Sequence, residues 1–187
     1  MKQILFLLLL ATACNLHAQD ENTGGHIRMG AGYVYDFPGL NGAGAYAEYS
    51  FPLNDFIQGG VGIRRVQTSG FPRTTSVREY TKATALDFNL LFVPFRSSNA
   101  AFRIGAGYSF SFYNARRSYP VYAVHTDQSP ATVSWPQADV KGRTSGISLL
   151  GEYEYYFSSA VSAGARIALC KAYGSVVMGG PFIAVSL

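Results

Sequence analysis

The chain has few charged residues, only two cysteines and, beyond its N-terminus, no long apolar run. Charged residues make up 14% of its 187 residues, and the net charge of +4 is too mild to indicate a nucleic-acid partner. No later apolar stretch approaches the roughly 20 residues that a membrane-spanning helix needs. The length indicates one folded domain.

The N-terminus has the pattern of a secretory signal peptide. Lys2 supplies a positive charge, residues 4–13 form an apolar core, and residues 16–18 resemble a small-residue cleavage site. The apolar core is shorter than a membrane anchor. We therefore predict a signal peptide over residues 1–18 and a mature domain over residues 19–187.

A second cleavage site competes with the first. Residues 11–14 resemble a lipobox, in which Cys14 would be acylated and become the first residue, although Ala11 stands where such motifs usually carry Leu. If cleavage follows Ala18 instead, Cys170 is the only cysteine left. A disulfide framework is then excluded, even in an oxidising compartment.

Apolar residues alternate with small or polar ones from about Gly25 to Leu187, which is the signature of β-strands with two different faces. This rhythm predicts an all-β fold, an eight-stranded antiparallel up-and-down transmembrane β-barrel. The predicted strands are His26–Asp36, Gly42–Leu53, Phe56–Gln67, Lys82–Phe95, Ala101–Arg116, Arg143–Phe157, Ala160–Lys171 and Ser175–Leu187.

Short and longer connections alternate along the chain. Tight turns are predicted at residues 53–55, 96–99 and 158–159, and the other connections include the long segments 68–81 and 117–142. Outer-membrane barrels have short periplasmic turns and longer extracellular loops. Together with the signal peptide, this predicts an integral protein of a bacterial outer membrane.

Charged residues in mid-strand must point away from lipid, because a lysine or arginine facing the bilayer midplane costs about 2–4 kcal/mol. An eight-stranded barrel has an interior that side chains just fill, so charges there must be paired. Four residues of each sign predict a lumen closed by ion pairs. This lumen charge network comprises Arg28, Glu48, Arg64, Asp87, Arg103, Glu152, Glu154 and Arg166.

The tetrapeptide Gly-Ala-Gly-Tyr occurs at residues 30–33 and again at residues 105–108. Its glycines are expected to face the lumen and leave room for Tyr46, Leu91 and Phe182. Because no helix follows either copy, neither is interpreted as a phosphate-binding loop.

The last strand runs to the end of the chain and alternates Ile183, Val185 and Leu187. Here the chain resembles the small eight-stranded outer-membrane β-barrel proteins of the porin-like superfamily. That family most often ends in an aromatic residue, where this chain has Leu187. A soluble ligand-carrying barrel is the structural alternative, and it would turn the apolar side chains inward.

Basic residues predominate at the loop end of the predicted strands. Arginine matches phosphate groups bidentately, and the outer leaflet of such a membrane carries lipopolysaccharide phosphates. We therefore expect a lipopolysaccharide-facing set at this end, with a merely solvated rim as the alternative. The set comprises Arg65, Arg116, Arg117, Lys141 and Arg143.

Three functions remain open on the sequence alone. The first is a non-enzymatic, monomeric surface barrel that contacts lipids, or an extracellular protein through residues 117–142. The second is a narrow channel for small solutes. The third is a lipid A-modifying enzyme using His125, Asp127 and Ser129, although nearness in sequence does not define a triad. No metal or cofactor is expected, because no His/Cys pair has ligand spacing.

Overall fold

The computed structural model describes residues 24–72, 77–119, 121–123, 132–172 and 174–187. Backbone pairing organises this part of the chain into strands joined by short connections. The strands are β1 (His26–Asp36), β2 (Asn41–Pro52), β3 (Ile57–Gly70), β4 (Glu79–Arg96), β5 (Ala100–Ser118), β6 (Val121–Ala123), β7 (Thr132–Ser134), β8 (Gln137–Tyr156), β9 (Val161–Lys171) and β10 (Ser175–Ser186).

Eight of these strands close into a single barrel in the order β1-β10-β9-β8-β5-β4-β3-β2. Every neighbouring pair is antiparallel, and β1 closes the ring against β10 with Met29 opposite Ile183. The prediction of an eight-stranded antiparallel up-and-down barrel is therefore confirmed. Closure leaves the barrel itself without an unpaired edge, which explains how its backbone polar groups can be satisfied in lipid.

The tight turns lie at one end of the barrel. The Leu53 amide donates to the Ile57 carbonyl, and the Phe157 amide donates to the Val161 carbonyl. The Asn54 side chain accepts hydrogen bonds from the Phe56 and Ile57 amides, which fixes the first turn. We call this end the turn end and the other the loop end.

No helix in the described ranges is long and apolar enough to cross a membrane.

Strand alternation separates the two faces of the barrel wall. On β5, Arg103 and Ser109 are buried, whereas Phe102, Ile104 and Tyr108 on the same strand are exposed. The continuous apolar surface is thus outside and the polar residues are inside, as in a barrel surrounded by lipid. A soluble barrel would have the opposite arrangement, so the fold disfavours that alternative.

The strands β5 and β8 are longer than predicted. The alternation indicated a strand beginning at Arg143, but β8 begins at Gln137 and pairs with β5 as far as Ser118. Residues 137–142 lack a consistent apolar face because this part of the hairpin extends beyond the apolar band. A short pair, β6 with β7, follows further along the same connection. Segment 117–142 is therefore strand at both ends.

Glycines and large side chains interlock inside the barrel, as the repeated tetrapeptide predicted. A Cβ atom on Gly30 would lie 2.6 Å from Cε1 of Tyr46, and one on Gly105 would lie 2.7 Å from Cδ2 of Leu91. Tyr46, Leu91 and Phe182 are all buried. The core of this molecule is thus its lumen.

Candidate functional site: the lumen and the outer rim

Arg28 lies at the centre of a charged cluster in the turn-end half of the lumen. Its Nη1 is 3.6 Å from Oε1 of Glu48 and 3.7 Å from Oε2 of Glu152, and its Nη2 is 3.4 Å from Oε2 of Glu154. The Arg28 side chain is fully buried. One guanidinium on β1 therefore faces carboxylates from β2 and β8, which is possible only after the barrel has closed.

Arg166 on β9 ties two of these carboxylates together. Its Nη2 is 2.6 Å from Oε1 of Glu48, and its guanidinium also pairs with Glu152. The guanidinium carbon lies 4.3 Å from the ring centre of Tyr46, close enough for a cation–π contact. Since β9 and β2 lie three strands apart in the ring, this bridge crosses the bore.

Arg103 and Glu154 form the third part of the cluster. These two side chains make an ion pair, and Arg103 also donates to the Tyr156 hydroxyl at 2.8 Å. Glu154 accepts a further hydrogen bond from the Ser162 hydroxyl. The cluster thus contains three arginines and three glutamates, and its formal charge is zero.

A separate ion pair lies closer to the loop end. Arg64 donates to Asp87 through Nε at 2.8 Å and through Nη2 at 3.1 Å, a bidentate arrangement. The Ser109 hydroxyl also donates to Asp87, at 2.6 Å. Because Arg64, Asp87 and Ser109 lie on the neighbouring strands β3, β4 and β5, this pair lines one wall of the lumen.

Little space is left between these two groups of charges. A cavity of about 20 Å³ is bordered by Glu48, Arg64, Asp87 and Arg166. A site of this size holds about one water molecule. The structure therefore places all eight residues of the predicted lumen network inside the barrel and shows each in an ion pair.

A second crossing of the bore lies at the loop end. Nη1 of Arg117 is 3.2 Å from Oε2 of Glu79, and its Nη2 is 3.6 Å from Oδ2 of Asp36. β5 and β1 lie on opposite sides of the ring, so Arg117 spans the mouth. Sequence reasoning grouped Arg117 with the lipopolysaccharide-facing residues, but its side chain turns inward. Alternation along β5 is the physical reason, since Arg116 takes the outward position.

Outward-facing cations form a partial ring at the loop end, which we call the outer rim. Toward the loop end of its strand, each lies two, four or six positions beyond the last large outward apolar residue, as Arg65 lies two positions beyond Ile63 and Lys171 two beyond Leu169. The rim covers β3, β4, β5, β8 and β9, which are consecutive in the ring. The outer rim comprises Arg65, Lys82, Arg116, Lys141, Arg143 and Lys171.

The rim includes two residues, Lys82 and Lys171, that the predicted lipopolysaccharide-facing set left out. Period-two spacing was the signal that could have placed them. Lys82 lies four residues before Leu86 in sequence, on the same outward face of β4, and Lys171 continues the outward face of β9. Extending each alternating pattern past its last apolar member identifies the rim.

Arg116 pairs with a carboxylate, which no other rim cation does within the part of the chain that the structure describes. It donates to Asp139 at 2.8 and 3.1 Å, and the guanidinium also lies 5.4 Å from the ring centre of Tyr80. Both charged side chains are about half exposed, beyond the apolar band. The hydrogen bonds from Arg116 hold the pKa of the Asp139 carboxyl below its usual value, so this pair stays ionised at neutral pH.

His125, Asp127 and Ser129, the residues considered for catalysis, lie outside the described residues. Cys14 and the predicted signal peptide, residues 1–18, also lie outside them. Within the described ranges, no group of three His, Cys, Asp or Glu residues is arranged to hold a metal ion.

Several solved structures share this architecture. Neisserial surface protein A is 12% identical, with a TM-score of 0.61 over 88% of this chain and 98% of that chain. Outer membrane protein OprG from Pseudomonas aeruginosa is 10% identical, with a TM-score of 0.52 over 90% of this chain and 95% of that one. No protein-family model and no curated protein sequence matches the chain.

A third similar structure contains a bound ligand. It is the attachment invasion locus protein of Yersinia pestis in complex with the heparin analogue sucrose octasulfate, 10% identical, with a TM-score of 0.52 over 88% of this chain and 98% of that chain. At these identities the likeness concerns the fold. The chain has the fold of the small eight-stranded outer-membrane β-barrels.

Proposed function

We propose that this protein is a non-enzymatic outer-membrane barrel that is closed to solutes and binds lipopolysaccharide phosphates at its outer rim. The observation that carries the proposal is the position of the rim. Its cations face outward, directly beyond the apolar band, at the end that bears the long connections. In an outer-membrane barrel this end is extracellular, where the lipid phosphates of the outer leaflet lie.

Closure of the lumen is supported by the ion pairs that cross it. Arg166 links β9 to β2, and Arg117 links β5 to β1, so two levels of the bore are spanned. Arginine stays protonated in proteins, so these links do not open by loss of its proton. Moving Arg117 aside would leave the buried carboxylates of Asp36 and Glu79 without a cation, and moving Arg166 aside would leave Glu48 and Glu152 to share Arg28, both of which are costly.

Planar-bilayer conductance of the refolded protein tests closure, with a heat-modifiability gel to show that the barrel has folded. We expect folded protein to be electrically silent. Discrete and reproducible conductance steps from folded protein would contradict closure and would favour the narrow-channel function instead.

Phosphate binding is supported by the chemistry of the rim. Arg65 and Arg143 are exposed arginines whose guanidinium groups match phosphate geometry. Among the described residues, Arg65, Lys82 and Arg143 have no ion pair with a carboxylate, so they are free to bind an anion. The sulfated ligand of the Yersinia protein shows that a barrel of this fold can bind a polyanion.

The test is lipopolysaccharide copurification with a variant that combines Arg65→Ser, Lys82→Ser, Lys141→Ser and Arg143→Ser. We expect the lipopolysaccharide retained per barrel to fall about tenfold or more, since each cation near an anionic surface contributes about 1 kcal/mol. Arg96→Ser is the matched control, because Arg96 is exposed at the turn end. Unchanged retention in the fourfold variant would refute phosphate binding by the rim.

A further inference from the structure

The outward face of β10, β1 and β2 carries small side chains where other strands carry large ones. One row across the sheet contains Pro181, Ala31 and Ala45, and Ala47 occupies the next row toward the turn end. Large neighbours project around them, namely Met29, Ile63 and Ile183, each about half exposed. These residues form an apolar groove in the outer surface.

Arg65 lines the groove at its loop-end edge. It lies directly opposite Ala45 in the sheet and two residues beyond Ile63 on β3. Thr84, its neighbour on β4, also lines the groove and adds a hydroxyl donor. From Arg65 the groove runs past Ala45 and Ala47 toward the middle of the apolar band. The groove therefore joins a guanidinium, a group that can bind phosphate, to an apolar surface.

A second outward groove lies on the other side of the barrel and has no such group. It runs between β4, β5 and β8, where Ala106 lies between Leu90 and Leu149. All of its lining residues are apolar or glycine. This groove suits any hydrocarbon, whereas the groove beside Arg65 combines hydrocarbon with a fixed positive charge.

We propose that the groove beside Arg65 is a binding site for one lipopolysaccharide molecule, with a lipid A phosphate on Arg65 and an acyl chain along Ala45 and Ala47. The proposal rests on the proposed function and makes it specific to one place on the rim. Lipopolysaccharide is the occupant because Arg65 lies at the extracellular end of the apolar band, in the outer leaflet.

Charge and shape act together at this site. The guanidinium of Arg65 can bind a phosphate bidentately, and the Thr84 hydroxyl can donate to the same group. Because lipid is the solvent here, the acyl chain gains through close packing against small residues and not through release from water. Filling the groove should therefore weaken binding without changing any charge.

Native mass spectrometry of barrels extracted from outer membranes in mild detergent tests the site. We expect Ala45→Leu to lower the fraction of barrels carrying lipopolysaccharide about threefold. Ala106→Leu, which fills the second groove, should leave that fraction unchanged. A heat-modifiability gel on both variants shows whether each has folded, and Ala45→Gly, which keeps the groove open, should behave like the unmodified protein.

The outcomes separate this site from the rim as a whole. Failure of the proposed function would appear as full retention in the fourfold rim variant. If that variant loses lipopolysaccharide while Ala45→Leu retains it, the groove proposal is wrong and the rim stands. Loss of phospholipid alone from Ala45→Leu, or loss of a dimer measured by light scattering with lipopolysaccharide unchanged, would also overturn the proposal.

Discussion

Two pairs of consecutive arginines, Arg64 with Arg65 and Arg116 with Arg117, each place one side chain inside the barrel and one outside. Arg64 is 5% exposed and bidentate to Asp87, whereas its neighbour Arg65 faces outward beside the groove. Arg117 crosses the mouth to reach Asp36, whereas Arg116 lies on the outer surface. The same residue type therefore has a structural role where its position on the strand faces the lumen and a surface role where the position faces outward.

Burial decides how much free energy each role involves. Removing one partner of a buried ion pair leaves an uncompensated charge and costs about 3–5 kcal/mol. Exposed charges are hydrated with or without a partner, so removing one changes stability by less than about 0.5 kcal/mol. Inside arginines should therefore control folding stability, and outside arginines should control lipid binding.

The largest effect is expected for Arg28→Met. Three glutamates face the Arg28 guanidinium, and only Arg103 and Arg166 would remain to balance them. The free energy of unfolding should fall by about 3–5 kcal/mol. Urea unfolding in detergent micelles measures it, and Arg65→Met is the matched control with little expected change. Equal free energies of unfolding for Arg28→Met and Arg65→Met would contradict the claim that inward arginines control stability and outward arginines do not.

The Arg64–Asp87 pair gives an intermediate effect. Arg64→Met should destabilise the barrel, because it leaves the Asp87 carboxylate in the lumen without its bidentate partner. Replacing both residues, as Arg64→Met with Asp87→Leu, should recover about 1–3 kcal/mol of that loss, since an apolar pair can substitute for a buried ion pair. Unfolding measurements on Arg64→Met, Asp87→Leu and the double variant complete the double-mutant cycle. A double variant no more stable than Arg64→Met would argue against a buried pair.

The smallest effect is expected for Asp139→Asn on the outer surface. This change frees Arg116 from its bidentate partner, and lipopolysaccharide retention should rise by less than about twofold, because exposed pairs are weak. In an Arg116→Ser background, the same change should have no effect. A large increase would mean that Asp139 controls access to the rim.

The pH dependence of that pair has a definite sign. The pKa of the Asp139 carboxyl is lowered, so at any pH above that value the carboxylate is charged and paired with Arg116. The ion pair is lost only when the pH falls through the lowered pKa. Retention by the unmodified protein should therefore not change through Asp139 between about pH 5 and pH 8. A change in this window that disappears in Asp139→Asn would contradict the assignment.

Alternation was sufficient to predict the eight barrel strands and their faces within the apolar band, although not the extension of β8 to Gln137. A charge such as Arg103 between Phe102 and Ile104 can have only one orientation in a strand, so its inward direction follows from the sequence. The outer rim follows from the same rule, extended past the last apolar residue. The same rule places Arg117 inside and Arg116 outside, although both lie at the loop end of β5.

Pairing across the lumen could not be predicted in this way. Arg166 reaches Glu48 from three strands away, and the two residues are separated by 118 positions in the chain. Their meeting depends on the register of every strand between them. Local pattern carries no information about which of several inward carboxylates an arginine will face.

The amino-acid sequence alone determined the number of barrel strands and their inside and outside faces, because both follow from a two-residue period that each strand shows by itself. Closure of the ring decided the rest. It brought Arg28 to Glu152 and Glu154, placed Arg117 across the mouth, and set Pro181 on β10 beside Ala31 in the groove. These contacts join residues distant in the chain, and only barrel register and side-chain packing can choose among them.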